Sequence, residues 1–231
     1  MLTIYKCIRG SHAAGMALKN SDKDYFSIVL PNPNDLIGLG NMKGSQYINK
    51  ETGEDHRIVT LREFLISAIH GRNIELETLF VRKEFILETD DVGNNLLKNR
   101  DKLLSNRIFR SILGFVSGQR KTTINENKQR FRNDLGYDPK SMAHALRAMW
   151  QAVELKRLNQ LKVYIDDEKI RQQILMIKQG QVSRDKTLTW LDRMESLFRS
   201  LPNSSLQEEP DYNFWNNFLV ETHLFFLING H

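Results

Sequence analysis

The sequence predicts an α+β fold, with strands gathered in its first part and helices dominating the rest. Two observations carry this: runs rich in aromatic and β-branched residues recur before residue 60, and a helical period takes over from about Leu96. Thr3 to Ile8 reads as a first short strand, stopped by Gly10-Ser11. Tyr25-Phe26-Ser27-Ile28-Val29-Leu30 reads as a second, opened by Asp22 and Asp24. Pro31 to Asp35 is a loop by composition, and the polar stretch Asn41 to Glu54 is a hairpin or a flap. Asp55 to Val59 is a third strand running straight into a helix. There Thr60 and Glu63 have the spacing of a capping box, Leu61, Phe64, Leu65 and Ala68 keep helical period, and Gly71 suits the stop. Leu76 to Val81 fits a strand or a short helix.

Leu103 to Phe115 has helical period and precedes Gly118 and a basic stretch, Gln119 to Arg132. In that stretch Arg120, Lys121, Lys128, Arg130 and Arg132 face one acid, Glu126, which suits either phosphate-backbone contact or a solvated loop. The clearest helix follows Gly136-Tyr137-Asp138-Pro139, with an apolar stripe of Met142, Leu146, Met149 and Val153. A second stripe of Lys140, His144, Arg147 and Gln151 offers cations, a histidine and an amide; the same stripe is what an ordinary wet helix face looks like. After the apolar run Val163-Tyr164-Ile165 come a helix carrying Ile170, Ile174 and Ile177 and another carrying Leu188, Leu191, Glu195 and Phe198. The chain then runs through a linker, Ser204 to Pro210, into an aromatic-rich terminal helix.

The chemistry concentrates in the first two strands. Residues two apart on a strand project from one face, so a strand holding Asp22 and Asp24 aims both carboxylates the same way. Two such charges about 4 Å apart repel by roughly 4 kcal/mol at an effective dielectric near 20. A hard cation such as Mg²⁺ removes that penalty. Gly10 lets backbone approach a ligand closely, and Ser11 offers a hydroxyl and an N–H to a phosphate oxygen. Phosphate beside a carboxylate-held metal is the equipment of phosphoryl or nucleotidyl transfer.

This order of Gly-Ser, spacer and Asp-x-Asp resembles the active-site motif of the DNA polymerase β superfamily of nucleotidyltransferases. Five segments narrow the resemblance to a nucleotidyltransferase family of bacteria and their phages, including an RNA-ligase-associated group. They are Gly10-Ser11, Ser21-Asp22-Lys23-Asp24, Asp55 with Leu61-Arg62-Glu63-Phe64, Leu76-Glu77-Thr78-Leu79, and Gly136-Tyr137-Asp138-Pro139-Lys140 with His144-Ala145-Leu146-Arg147. The resemblance implies a small mixed sheet with helices over 1–95, then a mostly helical domain over 96–231 closing over the nucleotide. It implies Asp22, Asp24 and Asp55 as catalytic metal ligands, Gly10, Ser11, Lys140, His144 and Arg147 as nucleotide-binding residues, and Glu77 in support. Lys23 departs from the family pattern, where an apolar or aromatic residue is commoner.

The reaction so implied moves a nucleoside monophosphate from a nucleoside triphosphate, ATP among them, to an acceptor hydroxyl and releases pyrophosphate. Mg²⁺ or Mn²⁺ would be the cofactor, in a two-metal arrangement, and RNA the acceptor. Alternatives are a hydroxyl on a protein side chain, or a catalytically silent module that binds nucleic acid. The bulk numbers agree with a polyanionic partner: net charge is +5 and the pI near 9.3. A single cysteine, Cys7, fits a reducing compartment. Phe214 to Ile228 is interrupted by Asn216, Asn217, Glu221 and His223 and does not suit a membrane span, so the chain is expected to be cytoplasmic, in a bacterial cell and possibly phage-encoded.

Overall fold

A computed structural model describes residues 1–19, 21–40, 43–124 and 135–229, and it has the expected α+β fold. β1 (Leu2–Arg9) runs antiparallel to β2 (Asp24–Leu30), with the single turn α1 (Gly10–Ala13) between them. After a second short turn, α2 (Pro33–Leu36), the polar stretch resolves into a hairpin. Its first strand, β3 (Ser45–Ile48), pairs antiparallel with β4 (Asp55–Thr60); Asn41 and Met42 lie outside the described residues. β4 in turn lies parallel to β2, and β5 (Ile86–Thr89) closes the far edge, giving the order β3-β4-β2-β1-β5.

The register decides which side chains meet. Arg9 pairs with Asp24, and Asp24 with Asp55, so all three stand on one rung and one face. The next rung on that face holds Cys7 and Phe26, both fully buried. Helix α3 (Leu61–Ile69) covers it, the Phe64 ring meeting Phe26 edge-on at 6.2 Å between centroids. Its start is fixed as the sequence foretells: Thr60 Oγ accepts from the Glu63 N–H, and Glu63 accepts from the Thr60 N–H at 2.9 Å. On the opposite face Tyr25, His56 and Tyr47 stack in a row across three strands, with centroids 4.7 and 5.0 Å apart.

Leu76 to Val81 resolves as helical turns, α4 (Asn73–Leu76) followed by a 3₁₀ turn, Glu77–Phe80. Then come α5 (Asp91–Asn99), α6 (Arg107–Ile124), α7 (Pro139–Leu158), α8 (Glu168–Lys178), α9 (Arg184–Ser200) and α10 (Tyr212–Asn229). Asp138 caps α7 by accepting from the Lys140 and Ser141 N–H groups, with Pro139 in the first turn where its missing N–H costs nothing. α7 is the axis of the helical part, touching α6, α8 and α9 at once. It is therefore buried well beyond its apolar stripe: Met142, Leu146, Met149 and Val153 are interior, and so are Arg147 and Gln151. Among the described residues no helix is long and apolar enough to cross a membrane.

Candidate active site

A cleft of about 620 Å³ opens where the Asp24 end of the sheet faces α4, α6 and α7. Arg9, Gly10 and Asp24 form its sheet wall; Lys140, Ser141, His144 and Arg147 form the α7 wall. Gly10 is required here on two counts. Its φ is +68°, in the left-handed region, and a Cβ would collide with Asp24 Oδ2. Ser11 follows within α1, where its carbonyl accepts from the Met16 N–H at 2.8 Å.

Asp24 and Asp55 meet through the fold alone, being direct partners on parallel strands though far apart in sequence. Burial holds the Asp24 carboxyl above the ordinary aspartate range; Arg9, Lys140 and His12 pull it down and Asp55 pushes it up. Asp55 Oδ2 accepts from Gln46 Nε2 at 2.7 Å and from Arg9 at 3.5 Å, while its Oδ1 is buried with no partner. Asp22 is placed otherwise than the strand-face argument expects. β2 begins only at Asp24, so the two-residue alternation never reaches Asp22. Asp22 is exposed, and its Oδ1 lies beside Gly53 in the β3–β4 turn, 3.4 Å from where a Cβ there would sit.

Two half-buried, repelling carboxylates, one with an orphaned oxygen, fit a hard divalent cation in donor chemistry. Among the described residues no three His, Cys, Asp or Glu side chains are already gathered as a metal cluster, so the fit rests on Asp24 and Asp55.

The polar stripe of α7 divides. Lys140 is exposed at the cleft. Arg147 is engaged by Glu77, Nη1 to Oε2 at 3.0 Å and Nη2 to Oε1 at 3.2 Å, and Gln151 donates to the same Glu77 at 3.1 Å. Glu77 thus supports the wall from within, and the stripe is neither a wet face nor a row of free phosphate ligands. His144 is pushed down to about 4, by burial first and then by Arg147, so it is neutral at pH 7. Within the basic stretch, Arg120 is held by Asp192 at 2.5 Å and Glu195 at 2.8 Å. Glu126, Lys128, Arg130 and Arg132 lie outside the described residues.

Sequence reasoning missed several residues. Lys178, at the end of α8, donates to the Met16 carbonyl at 3.0 Å and feels both Lys140 and Asp24. Burial, then Lys140, holds its ammonium below the usual lysine range. His12, two residues after Gly10, lies within electrostatic reach of Asp24. Arg9 joins the carboxylate rung. A basic residue ending a strand beside Gly10 was a readable signal; for Lys178, 154 positions after Asp24, no local pattern exists.

The histidine carries a pH consequence. Its ordinary value of 6.5 falls to about 4 in the fold, so between those limits the unfolded chain takes a proton that the native state refuses. Stability is expected to fall as pH drops through that window and then to level off, by up to about 3 kcal/mol from this group. Urea midpoints at pH 7 and pH 5 should differ more in the wild type than in His144→Gln. An equal difference would show that His144 does not titrate this way.

A stretch of 131 residues, 52% of this chain, is 28% identical to an uncharacterised 38.9 kDa protein of the nrdC–mobD intergenic region of Enterobacteria phage T4. The match covers 38% of that relative's length. The family model for RlaP matches residues 1–221, and on that match the chain belongs to the RNA repair pathway DNA polymerase beta family.

Proposed function

We propose that this protein is a metal-dependent nucleotidyltransferase that moves a nucleoside monophosphate from a nucleoside triphosphate to an acceptor hydroxyl on RNA. The observation that carries the reading is Asp24 on the wall of a cleft that also holds Gly10, with Asp55 as its direct partner on the neighbouring strand. Asp24 and Asp55 would hold Mg²⁺ or Mn²⁺, which when bound supplies charge neutralisation at the phosphates and activation of the acceptor hydroxyl, in one- or two-metal form.

The chain's own residues do the rest. Gly10, where a Cβ would strike the Asp24 carboxylate, leaves bare backbone in the cleft for a phosphate to approach. Lys140 and Lys178, from two helices, set positive charge opposite the carboxylates, where a triphosphate would neutralise their mutual repulsion. Neutral His144 offers a hydrogen bond rather than a charge. Arg9, held against Asp55, keeps that carboxylate on its rung. The family's place in an RNA repair pathway supports RNA as the acceptor.

Incubation with labelled nucleoside triphosphates, Mg²⁺ or Mn²⁺ and RNA should give label transfer that EDTA abolishes. Label appearing on protein instead would move the acceptor to a side chain, and binding of RNA without transfer would leave a silent module. Lys178→Gln is expected to weaken triphosphate binding about tenfold, as loss of one charge-assisted contact does. Unchanged affinity in isothermal titration would remove Lys178 from the phosphate site.

A further inference from the structure

Two further cavities adjoin the cleft. One, of about 560 Å³, lies between the β3–β4 hairpin and α3 and includes Arg57 and His70; the other, of about 580 Å³, is bounded by His70, Arg107, Arg110 and Glu209. Arg72 lines both, and it lines the cleft as well. Together they make a continuous track from Asp24 to α6. Arg72 is exposed, and among the described residues its guanidinium has no hydrogen bond or ion pair. The walls hold orphaned polar atoms too: Ser67 Oγ in the first cavity and Asn73 Oδ1 in the cleft are buried without partners.

The acids along the track are already occupied. Glu75 is tied to Arg57 at 2.6 Å, and Glu63 is spent on the α3 cap and the Gly44 N–H. At the far end one carboxylate, Glu209, bridges both Arg107 and Arg110. That is the arrangement in which a phosphate grips a pair of arginine forks. Glu209 sits in the irregular segment before α10, anchored by Asn106, which donates to Gln207 and Glu208. Glu209 and Arg110 are well exposed and Arg107 is partly so, and ion pairs open to solvent in this way hold weakly.

We infer that this track is the path of the acceptor RNA strand, with Arg72 its contact nearest the cleft. Glu209 occupies a phosphate position on Arg107 and Arg110 until the strand displaces it. The inference rests on the nucleotidyl-transfer reading, whose acceptor it locates. It predicts opposite signs for two neighbouring substitutions: Glu209→Gln frees the arginines and tightens RNA binding, whereas Arg110→Gln loosens it.

The test is fluorescence anisotropy with a 5′-labelled single-stranded RNA, without nucleotide, across a salt series. Glu209→Gln is expected to tighten binding several-fold. Arg110→Gln and Arg72→Gln are each expected to weaken it, with the salt slope shallower by about one phosphate contact. Triphosphate affinity of Glu209→Gln and Arg110→Gln should match wild type, since both positions lie away from the cleft. A wild-type chain that does not bind the RNA, or one whose binding is unmoved by Arg72→Gln and Arg110→Gln, overturns the path. RNA binding that responds as expected in a protein that transfers no nucleotide would keep the path and refute the transfer reading instead.

Discussion

Asp24→Asn is expected to cut nucleotidyl transfer by at least about a hundredfold, roughly 2.7 kcal/mol of barrier. The free protein should at the same time be no less stable. Burial and Asp55 together make the charged form of Asp24 costly, and an amide removes that cost while keeping the shape. Asp55→Asn should lose activity as deeply. A melt of the metal-free protein beside a transfer assay checks both halves of the expectation. Activity above a tenth of wild type in both variants, still dependent on metal, would sink the pair as the metal's seat. Asp22→Asn is the separating variant. A loss as deep as that of Asp24→Asn means that the carboxylate leaves Gly53 when the site is loaded; a shallow loss leaves Asp24 and Asp55 to act alone.

The second large effect is on stability. Arg147→Ala removes the bidentate partner of buried Glu77 and leaves an uncompensated charge inside, a change that costs about 3–5 kcal/mol. At roughly 2–4 °C per kcal/mol for a chain of this size, the melting temperature should fall by on the order of 10 °C. Combining it with Glu77→Gln should recover a good part, because no lone charge then remains. A single-variant loss under about 1 kcal/mol in urea unfolding would mean that water reaches Glu77 and that the pair is not truly interior. As part of a wet helix face Arg147 would stand in solvent; the fold places it inside.

Why some of this was legible and some was not comes down to distance along the chain. The Thr60–Glu63 cap and the Asp138-Pro139 start are complete within four residues, so local chemistry fixes them. The strand at Tyr25 announces itself by composition, yet its first residue does not, and the parity argument for Asp22 fails by that margin. The register that sets Asp24 beside Asp55 needs the β2–β4 pairing, which no short window contains. Burial of Arg147 and Gln151 is harder still. Their partner, Glu77, is 70 and 74 positions away, and without it the stripe reads as a wet face. The aromatic row of Tyr25, His56 and Tyr47 was hidden for the same reason, since each ring comes from a different strand.

The Glu77 knot also bears on time. Gln151 holds Glu77 with one amide hydrogen, its side-chain carbonyl accepts from Asn73, and its other amide contact reaches the Lys162 carbonyl. One buried glutamine therefore stitches α4, the Glu77 turn and the chain after α7 together at the floor of the cleft. Parting them would expose a bare carboxylate, an excursion that at a few kcal/mol is visited less than about one part in a hundred. Along this seam the cleft does not wait for its ligand to shape it. The entropy of ordering that floor is settled once, when the chain folds, and each arriving nucleotide meets a wall already set. The amide hydrogens of α7 facing Glu77 should accordingly be among the last in the molecule to exchange with solvent.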